Sequence, residues 1–575
     1  MCRRRYARIT PLNCVLVVAS VPQTASYPEL AHELAHALRR AAREVAADGR
    51  PQVGAVYLRE ALLLLPQEAR SEALVDLAGL ESLYDMRLAV EHWSELLTGV
   101  GSAEILAEAA SALLALNPSV RDQRAWTVAR DAIADCSDPE LRLRLLARIG
   151  VSAVLALDAG GLRDQVLAQL RTTGTTTPGE KAALGITAFA DLWRGRPLAE
   201  VRKSAEALFR DDWVTSLRHN DGPYGLGLNA LIVCDSPLTS QAIDEALHSA
   251  LLQSASGFQG GILALRAHAR LRAGDLAGAA ADARAGFETY AGYGGGPLPL
   301  AYALAALVEA ETERGRLQAA SQALVQAPSD AEAGTLGIAG IRLARARLRA
   351  AAGAPEVALE ELMRIGADYE SLGGGSPALV PWRSEAALAA KRIGRDPEAL
   401  ELAEDEVTAS IDSGSRAIGR ALVARALVGP PDEAWATAGE AVRQLESVDA
   451  PIELTRALLA QAQASAAENS QEAARKTFMR ALALAEQAQA VPLARAAREG
   501  LVAVGGRPRR GSAVGVDGLT AAERKVAQAA ARGLSNREIA AELHIAPGTV
   551  KNELASVYRK LSVNSRSQLR TALVS

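Results

Sequence analysis

From about residue 25 to residue 504, the chain repeats one pattern of apolar and polar positions. An apolar stretch with helical spacing ends in a short turn containing Gly, Asp, Asn or Pro, and a second stretch rich in Ala and Leu follows. Aligned turn markers span 469 − 49 = 420 residues in eleven steps, so the mean step is about 38 residues. The twelve markers are Gly49, Asp85, Asn117, Gly161, Gly195, Asp235, Gly274, Gly315, Gly353, Gly394, Gly429 and Asn469.

This period predicts a solenoid of helical hairpins, because one hairpin cannot bury its own apolar face and must stack on its neighbours. A Gly at the turn would end the first helix in a left-handed conformation. The period is longer than that of regular tetratricopeptide repeats, so we describe the predicted repeats as tetratricopeptide-like with longer helices. Such an array offers a concave surface, and we expect it to bind a protein or small-molecule effector.

Changes in composition predict four segments, and the predicted fold class is all-α. Residues 1–24 form an irregular N-terminal segment, and residues 25–504 form the repeat domain. Residues 505–518, rich in Gly, Pro and Arg, form a flexible linker. Residues 519–575 form a small C-terminal domain.

The C-terminal domain contains three capping-box patterns, in which a Ser or Thr is followed three residues later by Glu or Gln. They begin at Thr520, Ser535 and Ser565, and Pro547 suits the first turn of another helix. The predicted helices are 520–532, 535–543, 547–561 and 565–573. Only His544, Ile545 and Ala546 separate the second helix from the third, so this pair is predicted to be a helix-turn-helix.

Helical spacing assigns two faces to the third predicted helix. An apolar stripe is formed by Val550, Leu554, Val557 and Leu561, which predicts its buried side. The opposite arc is predicted to face the DNA major groove, where Lys and Arg donate to guanine or phosphate and Asn pairs with adenine. That predicted reading face consists of Lys551, Asn552, Ala555 and Arg559, with Ser556 and Lys560 at its margins as expected phosphate contacts.

The order and spacing of these residues resemble the LuxR family of helix-turn-helix regulators. The resemblance rests on Leu519-Thr-x-x-Glu523, Gly533-Leu-Ser-Asn-Arg-Glu-Ile-Ala-x-x-Leu543, Thr549-Val-Lys551 and Lys560-Leu-x-Val-x-Ser-Arg566-x-Gln-Leu569. It implies that the third helix binds double-stranded DNA and that the fourth forms a homodimer contact. It also implies that Lys551 and Asn552 contact bases, whereas Ser535 and Asn536 lie near phosphate. Thr549, within the same signature, is also predicted to be a DNA-binding residue.

This chain departs from the family pattern at Glu553, Ala546 and Ser562, where His, Ser and Gly are usual. Glu553 falls beside the buried stripe, so we expect it to alter packing or the local field more than base choice. Ala546 cannot cap the third helix, which costs about 1 kcal/mol of helix stability.

The repeats also resemble the C-terminal half of large ATP-binding LuxR-type regulators, through Ile393-Gly-Arg-Asp-Pro-Glu-Ala-Leu and Ile452-Glu-Leu-Thr-Arg-Ala-Leu-Leu. Those proteins carry an N-terminal nucleotide-hydrolysing domain, yet no GxxxxGK[ST] motif occurs in this sequence. We therefore expect no cofactor, and interpret the chain as a shortened member or as one with a start codon assigned late.

The charge distribution supports a DNA-binding tail. The overall formal charge is −4, but residues 506–575 contain twelve basic and five acidic residues. This tail is therefore +7 and the remainder −4 − 7 = −11, and a basic module on an acidic body suits contact with phosphate. With no CxxC pattern and no stretch of about 20 apolar residues, a cytoplasmic protein without a membrane segment is expected.

Two alternatives remain at the sequence level. His32-Glu33-Leu-Ala-His36 matches the HExxH pattern of zinc hydrolases, but it lies in what is predicted to be the first repeat helix. We therefore expect no enzyme. The other alternative is a helical repeat scaffold whose DNA-binding tail is weak or vestigial. The glycine triplets at Gly294 and Gly373 are interpreted as turns.

Overall fold

The computed structural model describes residues 27–99, 102–116, 123–155, 162–171, 174–210, 222–329, 334–506, 519, 521–561, 563 and 565–573. Every regular element in those ranges is helical, which confirms the all-α prediction. The chain divides into two compact units, Met1–Ala457 and Leu458–Ser575. The predicted segment 1–24 and all of the predicted linker except Gly505 and Gly506 lie outside the described residues.

The first unit is a tetratricopeptide-like solenoid of antiparallel helices. Short turns connect most of its helices, and Pro occupies the first or second position in several of them, where its missing amide hydrogen is not needed. A short 3-10 turn at Gln67–Ala69 precedes the third helix. The helices are α1 (Tyr27–Ala47), α2 (Pro51–Leu64), α3 (Arg70–Glu81), α4 (Met86–Thr98), α5 (Ala103–Leu116), α6 (Gln123–Asp135), α7 (Pro139–Leu155), α8 (Leu162–Leu170), α9 (Pro178–Trp193), α10 (Leu198–Leu208), α11 (Gly222–Val233), α12 (Thr239–Leu252), α13 (Ser256–Arg272), α14 (Leu276–Gly292), α15 (Pro297–Glu313), α16 (Leu317–Val325), α17 (Gly334–Ala351), α18 (Pro355–Ser371), α19 (Trp382–Arg392), α20 (Asp396–Ala409), α21 (Gly414–Val428), α22 (Pro431–Glu446) and α23 (Pro451–Ala467), which extends into the second unit.

The second unit continues with α24 (Gln471–Gln487) and α25 (Val491–Ala503), which pack as a hairpin in which Phe478 is buried against Gly500. The C-terminal domain then comprises α26 (Ala521–Ala531), α27 (Asn536–Glu542), α28 (Pro547–Leu561), a 3-10 turn at Arg566–Gln568 and α29 (Leu569–Ala572). Its core is built from Leu519, Val526, Ile539, Val550, Leu554, Val557 and Leu569. No helix in the described ranges is both long enough and apolar enough to cross a membrane.

Most of the turn markers have the left-handed backbone that the sequence predicts. Six glycines and two polar residues at these positions have positive φ angles. Gly429 is an exception, because its backbone is extended, with a φ of −78°, and the next helix begins at Pro431 without a left-handed residue in the turn. Asp85 instead caps the start of α4, while Asn117 and Gly161 lie outside the described residues. The eight confirmed markers are Gly49, Gly195, Asp235, Gly274, Gly315, Gly353, Gly394 and Asn469.

Within the first unit, hydrogen bonds join hairpins that are five repeats apart. The Tyr293 hydroxyl donates to the Ser82 carbonyl at 2.8 Å, and the Tyr293 carbonyl accepts from the Met86 amide at 2.9 Å. The Leu198 amide likewise donates to the Asp412 carbonyl at 2.8 Å. Residues about 200 positions apart therefore meet repeatedly, so the solenoid is a tight superhelix whose successive turns touch.

At two turns, glycine is required both by the positive φ angle and by the close approach of the neighbouring superhelical turn. Gly49 has a φ of 77°, and a side chain there would place its Cβ 2.3 Å from the Leu252 carbonyl oxygen. Gly195 has a φ of 71°, and its Cβ would lie 2.5 Å from the Gly375 oxygen. Any other residue would therefore be strained in φ and would also push the neighbouring superhelical turn away.

Charges of alternating sign lie about one repeat apart on the first helices of successive hairpins, with Asp235 in the turn after α11, and we call this set the charge ladder. Arg272 pairs with Asp235 at 2.8 Å, whereas Arg347 pairs with Glu309 at 2.5 Å and with Glu385 at 2.8 Å. These partners are 37 or 38 residues apart, which is the repeat period. The charge ladder consists of Asp235, Arg272, Glu309, Arg347, Glu385, Arg420 and Glu453.

Arg416 joins the two ends of the charge ladder. Its side chain is only 5 % exposed and forms ion pairs with Asp235 and with Glu453, both at 3.0 Å. Burial alone would raise the pKa of Glu453, but the nearby Arg416, Arg272 and Arg420 side chains lower it to about 2. The Glu453 carboxylate is therefore charged beside the Arg416 guanidinium, and the pair that Arg416 also forms with Asp235 spans 181 residues of sequence.

We expect Asp235→Asn to lower the free energy of unfolding of the repeat region by about 3–5 kcal/mol, because Arg416 and Arg272 would each lose a buried counter-charge. Asn tolerates the left-handed φ of 49° at this position, so the turn itself is preserved. Urea unfolding followed by circular dichroism measures the change. The control is Asp48→Asn, whose 73 % exposed side chain lies 3.9 Å from Arg50 and should contribute less than about 0.5 kcal/mol. Equal shifts in the two variants would contradict the role of the ion pair.

Candidate nucleic-acid interface

The C-terminal domain contains the predicted helix-turn-helix. The predicted helix 547–561 matches α28, and the predicted helices 520–532 and 535–543 differ from α26 and α27 by a residue or two at their ends. Gly533, with a φ of 95° and open space around its Cα, ends α26 as predicted.

The capping box at the start of α27 forms in full. The Ser535 hydroxyl oxygen accepts the Glu538 amide at 3.4 Å, and the Glu538 carboxylate accepts the Ser535 amide at 2.6 Å. Hydrogen bonding of the Glu538 carboxylate to the Ser535 side chain, and then to the Ser535 amide, lowers the pKa of Glu538. The helix start therefore keeps a fixed geometry, with the Asn536 and Arg537 amides not used by the box.

The turn between α27 and α28 depends on His544, which has a φ of 53°. The Ile545 amide donates to the Ala540 carbonyl at 3.0 Å, and this bond closes the end of α27. His is one of the residue types that adopt this backbone more often than most. The short turn therefore sets the direction of α28 relative to α27.

The two faces of α28 are those that the spacing predicts. Val550 and Val557 are fully buried and Leu554 nearly so, in the core shared with α26 and α27. Lys551, Asn552 and Ala555 are exposed on the opposite side. Thr549 is also exposed, in the first turn of the helix. Burial of one stripe thus fixes the rotation of the helix and directs the predicted reading face outward.

The side chains of Arg559, from the predicted reading face, and of Lys560, from its margin, lie outside the described part of the structure. Ser556, the other predicted phosphate contact, donates its hydroxyl hydrogen to the Glu523 carboxylate at 2.6 Å. Glu523 is buried, so this bond ties α28 to α26. In this arrangement the Ser556 hydrogen is already used within the domain. Glu553 is partly buried beside the apolar stripe, where the sequence places it.

The fourth predicted helix, 565–573, is present only in part, and the prediction that a Ser565 capping box opens it is wrong. The segment begins with a 3-10 turn, and only Leu569–Ala572 is α-helical. The Gln568 amide, which a Ser565 side chain would have to bind, donates to the Ser565 backbone carbonyl at 3.2 Å. No capping bond from the Ser565 side chain to the turn is formed. Thr520, the first residue of the remaining capping box, lies outside the described residues.

Arg566 holds the start of α27, a role that sequence analysis misses. Its guanidinium donates to the Asn536 side-chain oxygen at 2.9 Å and to the Leu534 carbonyl. Both acceptors flank the Ser535 cap, so the residue connects the C-terminal segment to the helix-turn-helix. The family resemblance includes Arg566, but the contact joins residues 30 apart and no local spacing rule predicts it.

Other candidate chemistry does not assemble into a site. His32 and His36 lie edge to face with their Nε2 atoms 3.0 Å apart, and Glu72 pairs with Arg39 at 3.0 Å. Across the described ranges, no group of three or more His, Cys, Asp or Glu side chains is placed to hold a metal ion. Gly294 and Gly373 are turn residues with positive φ, as predicted.

The comparison with known proteins agrees with this geometry. Residues 517–572 match the model for bacterial regulatory proteins of the luxR family. The C-terminal domain is a LuxR-type helix-turn-helix. It is similar to the "Putative HTH-type transcriptional regulator in exeN 3'region" of Aeromonas salmonicida, at 47 % identity over 58 residues. It is also similar to the "Probable HTH-type transcriptional regulator GfsR" of Streptomyces halstedii, at 50 % identity over 50 residues.

These similarities are confined to the LuxR-type domain. They cover 10 % and 9 % of this chain, and 30 % and 21 % of the two relatives. Across 82 % of the chain, solved structures with similarity include Cut9 in the APC/C Cut9–Hcn1 tetramer, at 11 % identity and a TM-score of 0.46 over 90 % of that chain. Yeast Tom70 is similar at 12 % identity, with a TM-score of 0.29 over 96 % of its chain.

We expect Arg566→Lys to loosen the start of α27, because an ammonium cannot place two fixed donors on Leu534 and Asn536 together. Charged hydrogen bonds contribute about 1.5–3 kcal/mol, so exchange of the amides in residues 534–542 should accelerate by roughly tenfold or more. Hydrogen–deuterium exchange on the full chain measures this. Arg537→Lys, an exposed neighbour, is the control and should leave the rate unchanged. The role assigned to Arg566 is rejected if both variants exchange like the parent.

Proposed function

We propose that this protein is a sequence-specific DNA-binding transcription regulator that acts in the cytoplasm as a homodimer on double-stranded DNA. In this proposal the helical repeat region senses a protein or small-molecule partner and controls dimerisation of the LuxR-type domain. The observation that carries the DNA-binding part is the exposed pair Lys551 and Asn552, on a helix whose opposite face is buried.

The chemistry of that face supports base recognition. Lys551 can donate to guanine O6 and N7, and the Asn552 amide can pair with adenine N6 and N7. Because the Ala555 side chain is small, the backbone of α28 can approach the floor of the major groove closely. The Ala555 methyl group can also contact a thymine methyl group. The start of α27, near Ser535 and Asn536, has the Asn536 and Arg537 amides that the capping box does not use, and it can bind a phosphate at the positive end of the helix dipole.

A repeat scaffold with a vestigial tail is the second candidate, and one observation favours it. Ala546 is exposed at the start of α28 and has no side-chain acceptor for the first amides of that helix. This candidate predicts a folded C-terminal domain that binds all DNA sequences equally. Selection from randomised duplexes distinguishes the two, because only the regulator enriches a defined motif.

We expect Lys551→Ala to weaken binding of the full chain to its selected duplex by about tenfold or more, as for loss of one base contact. It should also reduce the slope of log affinity against log salt by up to about one. A gel-shift series at several salt concentrations measures both effects. Lys476→Ala makes the same charge change on the exposed face of α24 and should have no effect.

The outcome that contradicts the proposal is specific. It is the absence of salt-sensitive DNA binding by the folded parent chain, since contacts to phosphate always release counterions. An equal loss of affinity in the α24 control would instead show that net charge, and not the predicted reading face, determines binding.

A further inference from the structure

A cavity of about 410 Å³ lies inside the superhelix of the first unit. Its walls are the inner faces of first helices from successive hairpins, notably α11, α13, α15 and α17, together with residues of α21 and α23. We call this space the axial cavity. Its volume is within the range of ordinary small-molecule sites, about 300–1,000 Å³.

The walls of the axial cavity change from apolar to charged along three parallel helices. Along α15 the lining residues run from Leu298 to Glu309 and then Glu313, over about 22 Å of helix. On α13 they run from Phe258 to Arg272, and on α17 they end at Arg347. The cavity therefore has an apolar end and an end formed by the charge ladder.

Arg420 is the one member of the charge ladder for which no described carboxylate lies within ion-pair distance. Glu385 pairs with Arg347, and Glu453 pairs with Arg416. The Arg420 Nη2 donates to the Pro377 carbonyl at 2.6 Å, while its buried Nε has no hydrogen-bond partner among the described atoms. Burial lowers the pKa of Arg420 to about 10, although the carboxylates of Glu453 and the buried Glu406 act in the opposite direction.

Gly261 is a helical glycine that faces the axial cavity without a packing reason. A Cβ added there would meet no atom within 4 Å. Glycine inside a helix lowers stability by about 0.5–1 kcal/mol relative to Ala. The glycine at this position therefore destabilises the helix, and it leaves the adjacent part of the axial cavity unfilled. Gly225 and Gly340 also line the cavity, and their nearest contacts are at the ordinary distances of 3.9 and 3.7 Å.

We propose that the axial cavity binds a small amphipathic anion, with its acidic head on Arg420 and its apolar body between α11, α13 and α15. A carboxylate would accept from the guanidinium of Arg420, which lines the cavity, in the planar geometry that Arg favours. The apolar body would cover Leu, Ile and Phe side chains that now face the cavity. This inference deepens the effector-sensing part of the proposed function and rests on it for any effect on DNA binding.

The probe for the test is decanoate, titrated into the full chain by calorimetry. Decanol supplies the apolar body alone and acetate supplies the head alone. We expect decanoate to bind once per chain, decanol to bind at least tenfold more weakly, and acetate to give no measurable heat.

Two variants locate the site. Gly261→Phe fills the apolar end, and Gly261→Ala is its matched control, because it adds only one methyl group to open space. Arg420→Gln removes the charged head contact, and Arg395→Gln makes the same change at an exposed side chain. We expect Gly261→Phe and Arg420→Gln each to weaken decanoate binding at least tenfold, and both controls to bind like the parent. If Gly261→Phe fails to fold by circular dichroism, Arg420→Gln still decides the position of the head.

The inference is overturned if decanoate does not bind the folded parent chain, or if it binds the folded Gly261→Phe and Arg420→Gln variants as tightly as the parent. Equal affinity for decanoate and decanol would overturn the anionic part. Gel shifts on the same samples separate this result from the proposed function. Retained DNA binding without decanoate binding rejects only the cavity site, whereas retained decanoate binding without DNA binding rejects only the regulator.

Discussion

The ion pair between Arg416 and Asp235 closes the superhelix, and the inner architecture of the first unit depends on that closure. Each hairpin stacks on the next through Ala and Leu, which determines local packing but leaves the pitch of the superhelix free. The buried pair fixes that pitch by bringing together residues 181 positions apart. It needs Glu453 and Arg272 as well, because two desolvated guanidinium groups require a comparable number of carboxylates nearby.

Closure also explains where the charged residues of the repeats lie. Alternation of sign at the repeat period lets each inner Arg find an acidic partner on the adjacent hairpin, so the ladder can line an interior space. Arg420 interrupts this pairing. An external anion placed at Arg420 would therefore not have to displace an existing ion pair.

The sequence predicts the repeat period, most turn glycines and the two faces of α28, because these follow from local spacing and backbone preference. It does not predict contacts that depend on the superhelical pitch, such as Tyr293 with Ser82, because no period links positions so far apart. Ser565 shows a second limit: the capping pattern is present, but the backbone carbonyl takes the amide first. Arg566 shows a third, since its partners are set by tertiary packing.

The two kinds of charge in this molecule differ in their exposure to ions. Arg416 and Asp235 face each other behind protein, where mobile counterions screen little, whereas Lys551 faces solvent. Raising ionic strength should therefore detach the LuxR-type domain from a polyanion long before it opens the superhelix. A salt titration should therefore act on the exposed charges of the LuxR-type domain while the repeat region stays folded, so the two units can be followed independently in a single preparation.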